Sequence, residues 1–370
     1  MDPFWLALPG FFFWLVVLFL PWRPWSTRES LDASASSRED LSGLTVLIPA
    51  RNEEDVIIRT LKALDRQGQD HRIIVIDDQS TDDTAALASQ LKIPNLEIVP
   101  GAPLQAGWTG KLWALEQGRT RARTDYLLLL DADIELRPGL IRTLLEKLHV
   151  ERLELVSLMA YLRMENVWEK LLMPAFIYFF KLLYPFRISN SPSPYVAAAA
   201  GGCILIRAAV LEEIGGFGAI RGQIIDDCAL ARAVKQRGYR TWIGLTHSAV
   251  SHRQYNDIRT IWDMVARTAF TQLRSSTALL LACSLLLLIA FAFPPAALVL
   301  GGPGAATTAL AGLAVMAGTY IPTLRYYDLS PAWALALPLV GVLYMAMTWT
   351  SAFRHWRGSG ARWKERSYGH

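Results

Sequence analysis

The chain has few cysteines and little net charge. Three cysteines, Cys203, Cys228 and Cys283, occur in 370 residues, and no two of them form a Cys-x-x-Cys pair. The sequence therefore indicates neither a zinc site nor a disulfide framework, and we expect buried or lipid-facing thiols. Basic residues exceed acidic residues by 37 − 33 = 4. So small an excess gives no reason to expect a nucleic-acid partner.

Charge is also missing from the N-terminal region. Phe4–Leu20 contains 17 residues without a charge, and Arg23 and Arg28 follow. The segment lacks the basic start and the small-residue cleavage site of a secretory signal peptide. We therefore predict a transmembrane anchor over residues 1–22, with both arginines on the cytoplasmic side. The polar, serine-rich residues 23–43 are predicted to be a linker that does not pack.

A second uncharged region lies near the C-terminus. Ser275–Leu324 has 50 residues and Leu329–Phe353 has 25 residues without a charge. Because ~20 apolar residues span a bilayer, residues 275–353 predict two or three transmembrane helices. Pro294-Pro295 or Gly301–Gly304 could form the bend between the first two.

The tail, residues 354–370, is basic. A cytoplasmic domain followed by three spans would place this tail outside, whereas Lys and Arg tend to stay in the cytoplasm. Either one apolar segment does not cross, the weakest being the Gly/Ala/Thr-rich segment from Ala305, or the tail departs from the rule. The sequence leaves both alternatives open.

Between these regions, strand, turn and helix alternate from Leu44 onward. The alternation predicts a doubly wound α/β domain over residues 44–274. In its fourth strand, Leu127–Leu130 is an uninterrupted apolar run, typical of a strand buried on both faces. Asp131 and Asp133 follow, and an extended chain would point both carboxylates the same way. Two such charges need a cation, or one must be protonated, although an acidic turn is an equally good interpretation of this tripeptide alone.

Four polar clusters lie at the ends of these predicted elements. They are Pro49–Glu53, Asp77–Asp82, Gly107–Lys111 and Asp131–Asp133. Each alone is a weak signal, because acidic turns and glycine loops are common. Together they would meet at one edge of the sheet, where open α/β sheets bind nucleotides.

This ordered set resembles the family 2 glycosyltransferases of the GT-A fold, over roughly Leu44–Arg274. The matching stretches are PARNE, VIDDQSTD, LDAD and a later Asp-Asp. The GWTGK loop and the membrane-rich C-terminus are most similar to lipid-directed members, above all the hopene-associated glycosyltransferases, and more loosely to carotenoid and ceramide glycosyltransferases. The resemblance implies a nucleotide-sugar donor, in particular a UDP-sugar, and Mg2+ or Mn2+.

The resemblance also implies roles for individual residues. The donor-binding positions are Pro49, Arg51, Glu53, Asp77, Asp78, Lys111, Asp131 and Arg267. Asp78 resembles the uracil-contacting aspartate, and Lys111 would add a positive charge near the phosphates. Asp133, helped by Asp131, resembles the metal-holding pair. The alternatives are helix capping and loop bracing for Asp77 and an ordinary surface lysine for Lys111.

A further acidic pair resembles the catalytic element of the family. In Ile224–Leu230, Asp227 takes the position of the catalytic base, with Asp226 in place of the commoner glutamate. A base there would take the acceptor's hydroxyl proton in a one-step displacement that inverts configuration. The alternative is an acidic pair that complements a helix dipole.

Three other residues have weaker signals. Arg267 matches only the arginine of a motif that lipid-directed relatives carry, and it could pin the diphosphate or meet lipid headgroups. His247 and His252 could each supply a third metal ligand, but a lone loop histidine more often has another role.

The prediction as a whole is a multi-pass enzyme of the bacterial inner membrane with a cytoplasmic catalytic domain. Its acceptor would be a lipid hydroxyl, on a hopanoid or another polyisoprenoid. The aromatic segment Trp168–Phe186 is predicted to lie as an interfacial helix on the bilayer, or alternatively to be a buried helix of the domain. Rival interpretations are a processive polysaccharide synthase, a nucleotide-sugar-binding membrane protein without turnover, and a transporter.

Overall fold

A computed structural model describes residues 4–34, 40–358, 362–363 and 366–367. Its eight main strands are β1 (Leu44–Ala50), β2 (Arg72–Asp77), β3 (Leu96–Pro100), β4 (Tyr126–Leu130), β5 (Ile134–Leu136), β6 (Leu155–Tyr161), β7 (Cys203–Arg207) and β8 (Thr241–Ser251). Two short strands, β9 (Arg362–Trp363) and β10 (Arg366–Ser367), form a separate pair. The helices up to the last main strand are α1 (Phe4–Phe19), α2 (Ile57–Leu64), α3 (Thr84–Ser89), α4 (Gly110–Arg119), α5 (Leu140–Val150), α6 (Val167–Leu183), α7 (Phe186–Ser189), α8 (Ala208–Glu213) and α9 (Asp226–Gln236). The later helices are α10 (Ile258–Gln272), α11 (Thr277–Leu287), α12 (Phe293–Leu300), α13 (Pro303–Tyr326) and α14 (Leu337–Trp356).

The eight strands form one mixed sheet in the order β3-β2-β1-β4-β7-β6-β8-β5. The first four strands along the chain are parallel to one another, as the α/β alternation predicts. β7 runs antiparallel to both of its neighbours, β4 and β6. The sheet of the predicted α/β domain is therefore mixed, with its antiparallel pairs each involving a strand of the second half. The antiparallel β7 starts beside the end of β4, so that Gly202 accepts a hydrogen bond from the Asp131 amide (3.1 Å).

The apolar run in β4 is buried on both faces of the sheet, as predicted. Leu128 and Leu130 belong to the core beneath α2 and α5, whereas Leu127 and Leu129 belong to the core beneath α4, α8 and α9. Side chains alternate between the faces of a strand, so each face needs its own apolar residues. The four consecutive leucines satisfy both faces at once.

The predicted unpacked linker is wrong for residues 29–34. Leu31 donates its amide to the Leu245 carbonyl (2.9 Å), and the Leu245 amide donates to Glu29 (2.8 Å), which forms a short parallel bridge to β8. Asp32 accepts hydrogen bonds from Thr246 and Ser248. The polar residues of this segment form hydrogen bonds with the edge of β8, so the segment is packed on the domain.

Three helical segments after the α/β domain are long and apolar enough to cross a membrane, namely Thr277–Leu300, Pro303–Tyr326 and Pro331–Trp356. The first is one rod in which α11, a π-helical stretch over 288–292 and α12 follow without a break. The turn therefore lies at Gly301-Gly302, and the chain does not turn at Pro294-Pro295. At 1.5 Å per residue, the 16-residue α1 is shorter than the ~30 Å hydrocarbon layer.

The segment predicted to lie on the bilayer forms α6, which is largely covered by protein. Tyr178 bonds Thr319 of α13 (2.8 Å), and Tyr344 of α14 donates to the Leu172 carbonyl (2.9 Å). Trp168 at the start of the helix is 39% exposed. α6 therefore connects the α/β domain to the C-terminal helices.

Candidate active site

The loops that follow β1 and β2 are joined by hydrogen bonds at the sheet edge. Arg51 donates to the backbone carbonyls of Asp78 (2.6 Å) and Gln79 (2.9 Å). Asn52 and Gln79 both have positive φ angles, 51° and 56°, and the Asn52 side chain accepts from the Thr81 amide (2.9 Å). Arg51 thus braces the loop that surrounds the predicted donor site.

The two aspartates after β2 differ in accessibility. Asp77 is half-buried, and its carboxylate accepts from the Ser80 amide (3.3 Å). Asp78 is 0% exposed. Pro49 is buried inside β1 opposite Ile76. Of these three predicted donor-binding residues, Asp77 is therefore the one whose side chain is open to a ligand in this structure.

Asp131 and Asp133 occupy a turn between β4 and β5, and this corrects the prediction of an extended chain. The turn is closed by a hydrogen bond from the Ile134 amide to the Asp131 carbonyl (3.1 Å). The two carboxylates have different cationic partners. Asp131 lies 2.6 Å from the Lys111 Nζ, and Asp133 lies 3.8 Å from the Arg253 Nε.

Lys111, in the first turn of α4, joins two carboxylates that are far apart in sequence. Its Nζ is also 3.8 Å from Asp226 and donates to the Gly201 carbonyl (3.2 Å). Burial would lower the pKa of Lys111, but the charges of Asp131 and Asp226 outweigh burial and raise that pKa. Lys111 therefore stays charged at neutral pH and is no ordinary surface lysine.

Asp227 lies beside this cluster at the start of α9. Its carboxylate accepts from the backbone amides of Gly201 (2.9 Å) and Cys228 (2.7 Å). Burial, and then the charge of Asp226, raise the pKa of Asp227 to about 6. An added Cβ at Gly201 would stand 3.1 Å from the Lys111 Nζ and 3.4 Å from the Asp227 Oδ2, so glycine lets the backbone approach both groups.

Arg253 is a site residue for which the sequence analysis assigned no role. It follows β8 and is close to both Asp133 and Glu53 (3.7 Å to the Glu53 Oε1). Ser251 completes this group by donating its hydroxyl to Asp133 (3.0 Å). The sequence signal that could have identified Arg253 is a basic residue shortly after a strand whose end lies at the same edge of the sheet as Asp133.

Neither histidine has a ring nitrogen free for a metal. His247 contacts Asp32 (3.2 Å) through Nδ1 and the Tyr326 carbonyl (3.0 Å) through Nε2. The ring of His252 accepts at Nδ1 from Arg59 (2.8 Å), because a guanidinium only donates, and its Nε2 therefore donates to Glu135 (2.6 Å).

Arg267 lies on α10, half-buried, and its charge acts on the pKa of Tyr255 together with the charges of Arg253 and Asp133. Arg267 therefore lies near Tyr255, which the charges of Arg253 and Asp133 also reach. The Tyr255 amide donates to Glu169 (3.0 Å) at the start of α6, which ties this corner to the helical region.

The residues present fit a divalent metal of the hard, oxygen-binding kind. Asp131 and Asp133 supply carboxylates one residue apart, and no cluster of three His, Cys, Asp or Glu ligands occurs among residues 4–34 and 40–358. Mg2+ is often held by one or two carboxylates together with substrate phosphates. Two carboxylates therefore suffice if a diphosphate completes the shell.

Comparison with known proteins bears on the family and the fold of the chain. The family model described as Glycosyl transferase family 2 matches residues 45–215. Over these residues, a little under half of its length, the chain is similar to the family 2 glycosyltransferases. Its fold is of the GT-A type: a solved mannosyltransferase, PcManGT from Pyrobaculum calidifontis in complex with GDP-Man and Mn2+, superposes with a TM-score of 0.53 at 18% identity, over 96% of this chain and 95% of that one.

The glycosyltransferase domain also has curated relatives. The 4,4'-diaponeurosporenoate glycosyltransferase of Staphylococcus aureus (strain bovine RF122 / ET3-1) is 36% identical over 109 residues, which are 29% of this chain and 28% of that protein. The protein of the same name from Staphylococcus haemolyticus (strain JCSC1435) is 36% identical over 100 residues, 26% of each. The chain thus matches less than a third of the length of these relatives.

Proposed function

We propose that the protein is a membrane-bound, metal-dependent glycosyltransferase that moves a sugar from a nucleotide-sugar to a polyisoprenoid lipid with inversion of configuration. One observation carries the proposal: Lys111 lies 2.6 Å from Asp131 and 3.8 Å from Asp226. A carboxylate predicted to bind the donor and the acidic pair predicted to be catalytic therefore meet at Lys111. Acidic turns or dipole-complementing pairs would have no reason to converge.

The donor side is built from the sheet edge. Asp77 would accept hydrogen bonds from the base or ribose of a UDP-sugar, and Arg51 braces the loop that carries it. Lys111 and Arg253 are the cations available to the diphosphate. A metal held by Asp131 and Asp133 would neutralise charge on the leaving nucleoside diphosphate.

Asp227 acts as the general base. A pKa of about 6 leaves it ionised at neutral pH, and the value is close to the optimum for a base. The acceptor oxygen gives its proton to Asp227 as it bonds to the anomeric carbon, while the bond from that carbon to the diphosphate breaks on the opposite face. This single displacement inverts the configuration.

The acceptor approaches from the helical side. Gln272 at the end of α10 donates to the Tyr184 hydroxyl directly after α6, and burial together with the neighbouring Cys228 raises the pKa of Tyr184 to about 12. Tyr184 also lies close enough to Asp227 for their charges to interact. The ends of α6 and α10, which pack on the C-terminal helices, thus lie near Asp227. A lipid acceptor needs such an arrangement, because its hydroxyl must reach the base from the membrane side.

The placement of α14 supports a cytoplasmic tail. Tyr327, shortly before this segment, packs on Tyr161 of the domain (5.0 Å between ring centres), and Arg354 at its end pairs with Asp263 of α10 (2.5 Å). The residues just before Pro331–Trp356 and the residues at its end therefore both contact residues 44–274. A helix that crossed the membrane would rise ~1.5 Å per residue and would carry its far end away from the domain. We infer that Thr277–Leu300 and Pro303–Tyr326 cross the bacterial inner membrane and that α14 returns to the cytoplasmic side, so that one apolar segment does not cross.

Turnover with defined substrates tests the proposal. The protein in nanodiscs is offered UDP-glucose, UDP-galactose, UDP-N-acetylglucosamine or GDP-mannose, Mg2+ or Mn2+, and lipid extracts containing hopanoids or carotenoid acids. Mass spectrometry reads the glycolipid, and released nucleoside diphosphate is measured in parallel. A product that disappears with Asp227→Asn supports the proposal. Nucleotide binding without product across all these pairs favours a binding protein without turnover.

A further inference from the structure

Lys111 occupies a carboxylate, that of Asp131, which is also predicted to hold a metal. The Lys111 Nζ is 2.6 Å from the Asp131 Oδ1, and the side chains are 18% and 34% exposed. A divalent cation on Asp131 would stand directly beside the ammonium, and like charges at such a distance repel strongly in a partly buried site. Metal binding at Asp131 therefore requires Lys111 to move.

Lys111 has room and reach to move. Lysine carries its charge on a flexible four-carbon stem, and Gly201 presents no side chain to the Nζ. Its helix begins at Gly110, so the ammonium lies near an N-terminus, where the backbone favours anions such as phosphates. A diphosphate arriving there offers Lys111 a new anionic partner.

The second carboxylate of the pair is arranged in the same way. Arg253 lies 3.8 Å from Asp133 and 3.7 Å from Glu53. Each acid of the Asp131-Ala132-Asp133 turn thus already has a cationic partner from another part of the chain, so a bare metal ion gains little there.

We propose that Lys111 is a tethered counter-cation that holds the Asp131 carboxylate and releases it only to a metal that arrives with a nucleoside diphosphate. The inference rests on the proposed function and deepens it. Metal affinity then depends on the nucleotide, and by thermodynamic linkage nucleotide affinity depends equally on the metal. Free metal alone would seldom occupy the site.

Mn2+ binding to the full-length protein in nanodiscs tests this, read as loss of the free-ion signal in electron paramagnetic resonance. Without nucleotide, Lys111→Met should bind Mn2+ about tenfold more tightly than wild type. This factor corresponds to the loss of a partly buried ion pair, whose strength lies between that of an exposed pair and that of a fully buried pair. Lys111→Arg and the exposed control Lys92→Met should match wild type. Gly201→Ala, which crowds the Nζ without removing its charge, should give an intermediate increase.

Adding UDP or GDP separates this inference from the proposed function. The nucleotide should raise the Mn2+ affinity of wild type markedly, and that of Lys111→Met much less. Equal or weaker Mn2+ binding by Lys111→Met without nucleotide overturns the counter-cation role while leaving the enzyme proposal intact. Wild type that binds no Mn2+ with either nucleotide overturns both. Thermal unfolding of each variant confirms that it is folded.

Discussion

Replacing Asp226 by Asn should shift the pH dependence of sugar transfer. Asp227 must be ionised to accept a proton, so kcat/KM of the wild type should rise with pH, with its midpoint near the Asp227 pKa of about 6, and level off above it. Two causes raise that pKa from its ordinary value of 3.8, burial first and the neighbouring charge of Asp226 second. The substitution removes the second cause and leaves the first.

The size of the shift follows from that order of causes. Because burial remains, less than half of the rise should be lost, and the acid limb should move toward lower pH by ~0.5–1 unit. At pH 5 the ionised fraction of Asp227 would then be about 2.5- to 5.5-fold larger in the variant than in wild type. Above pH 7.5 the two profiles, each scaled to its own plateau, should coincide.

Initial rates of nucleoside diphosphate release between pH 4.5 and 8.5, at donor concentrations well below KM, measure this directly. Scaling each enzyme to its plateau removes any loss caused by the weakened Lys111 contact. Asp227→Asn should lose about 10²–10⁴-fold of the rate while nucleotide binding is largely kept. An acid limb of Asp226→Asn that stays in place, or moves to higher pH, would refute the assignment of Asp227 as the base.

Three further outcomes follow from the structure. Asp133→Ala should weaken Mn2+-dependent UDP binding in calorimetry but leave metal-free UDP binding unchanged. If Mn2+ still strengthened UDP binding by the wild-type factor, Asp133 would not be a metal ligand. Arg253→Gln should weaken UDP binding about tenfold, the value of one charge-assisted contact, with Arg253→Lys partly restoring it; equal affinity in all three proteins would contradict the assignment. Alkaline phosphatase fused after His370 should be inactive while the same reporter after Gly302 is active, and activity at both points would show that α14 crosses.

Local pattern was sufficient for the framework of the protein. Apolar runs report burial directly, so Leu127–Leu130 identified a strand covered on both faces, and the uncharged stretches identified the candidate membrane helices. The polar clusters at the strand ends predicted the sheet edge that holds Lys111 and Asp131. These features depend on neighbours in the chain, which a sequence displays.

Tertiary structure alone decided which charges meet. Lys111, Asp131 and Asp226 come together because the antiparallel β7 brings Gly201 and Gly202 beside the end of β4, and no periodicity in the sequence encodes that pairing. Arg253 reaches Asp133 only through β8, and residues 29–34 pack only because that strand has an open edge. Ion pairs and edge contacts depend on distances between remote segments, whereas burial of an apolar run depends on the run itself. The sequence therefore determined where the site would be, and the fold determined how its charges are balanced.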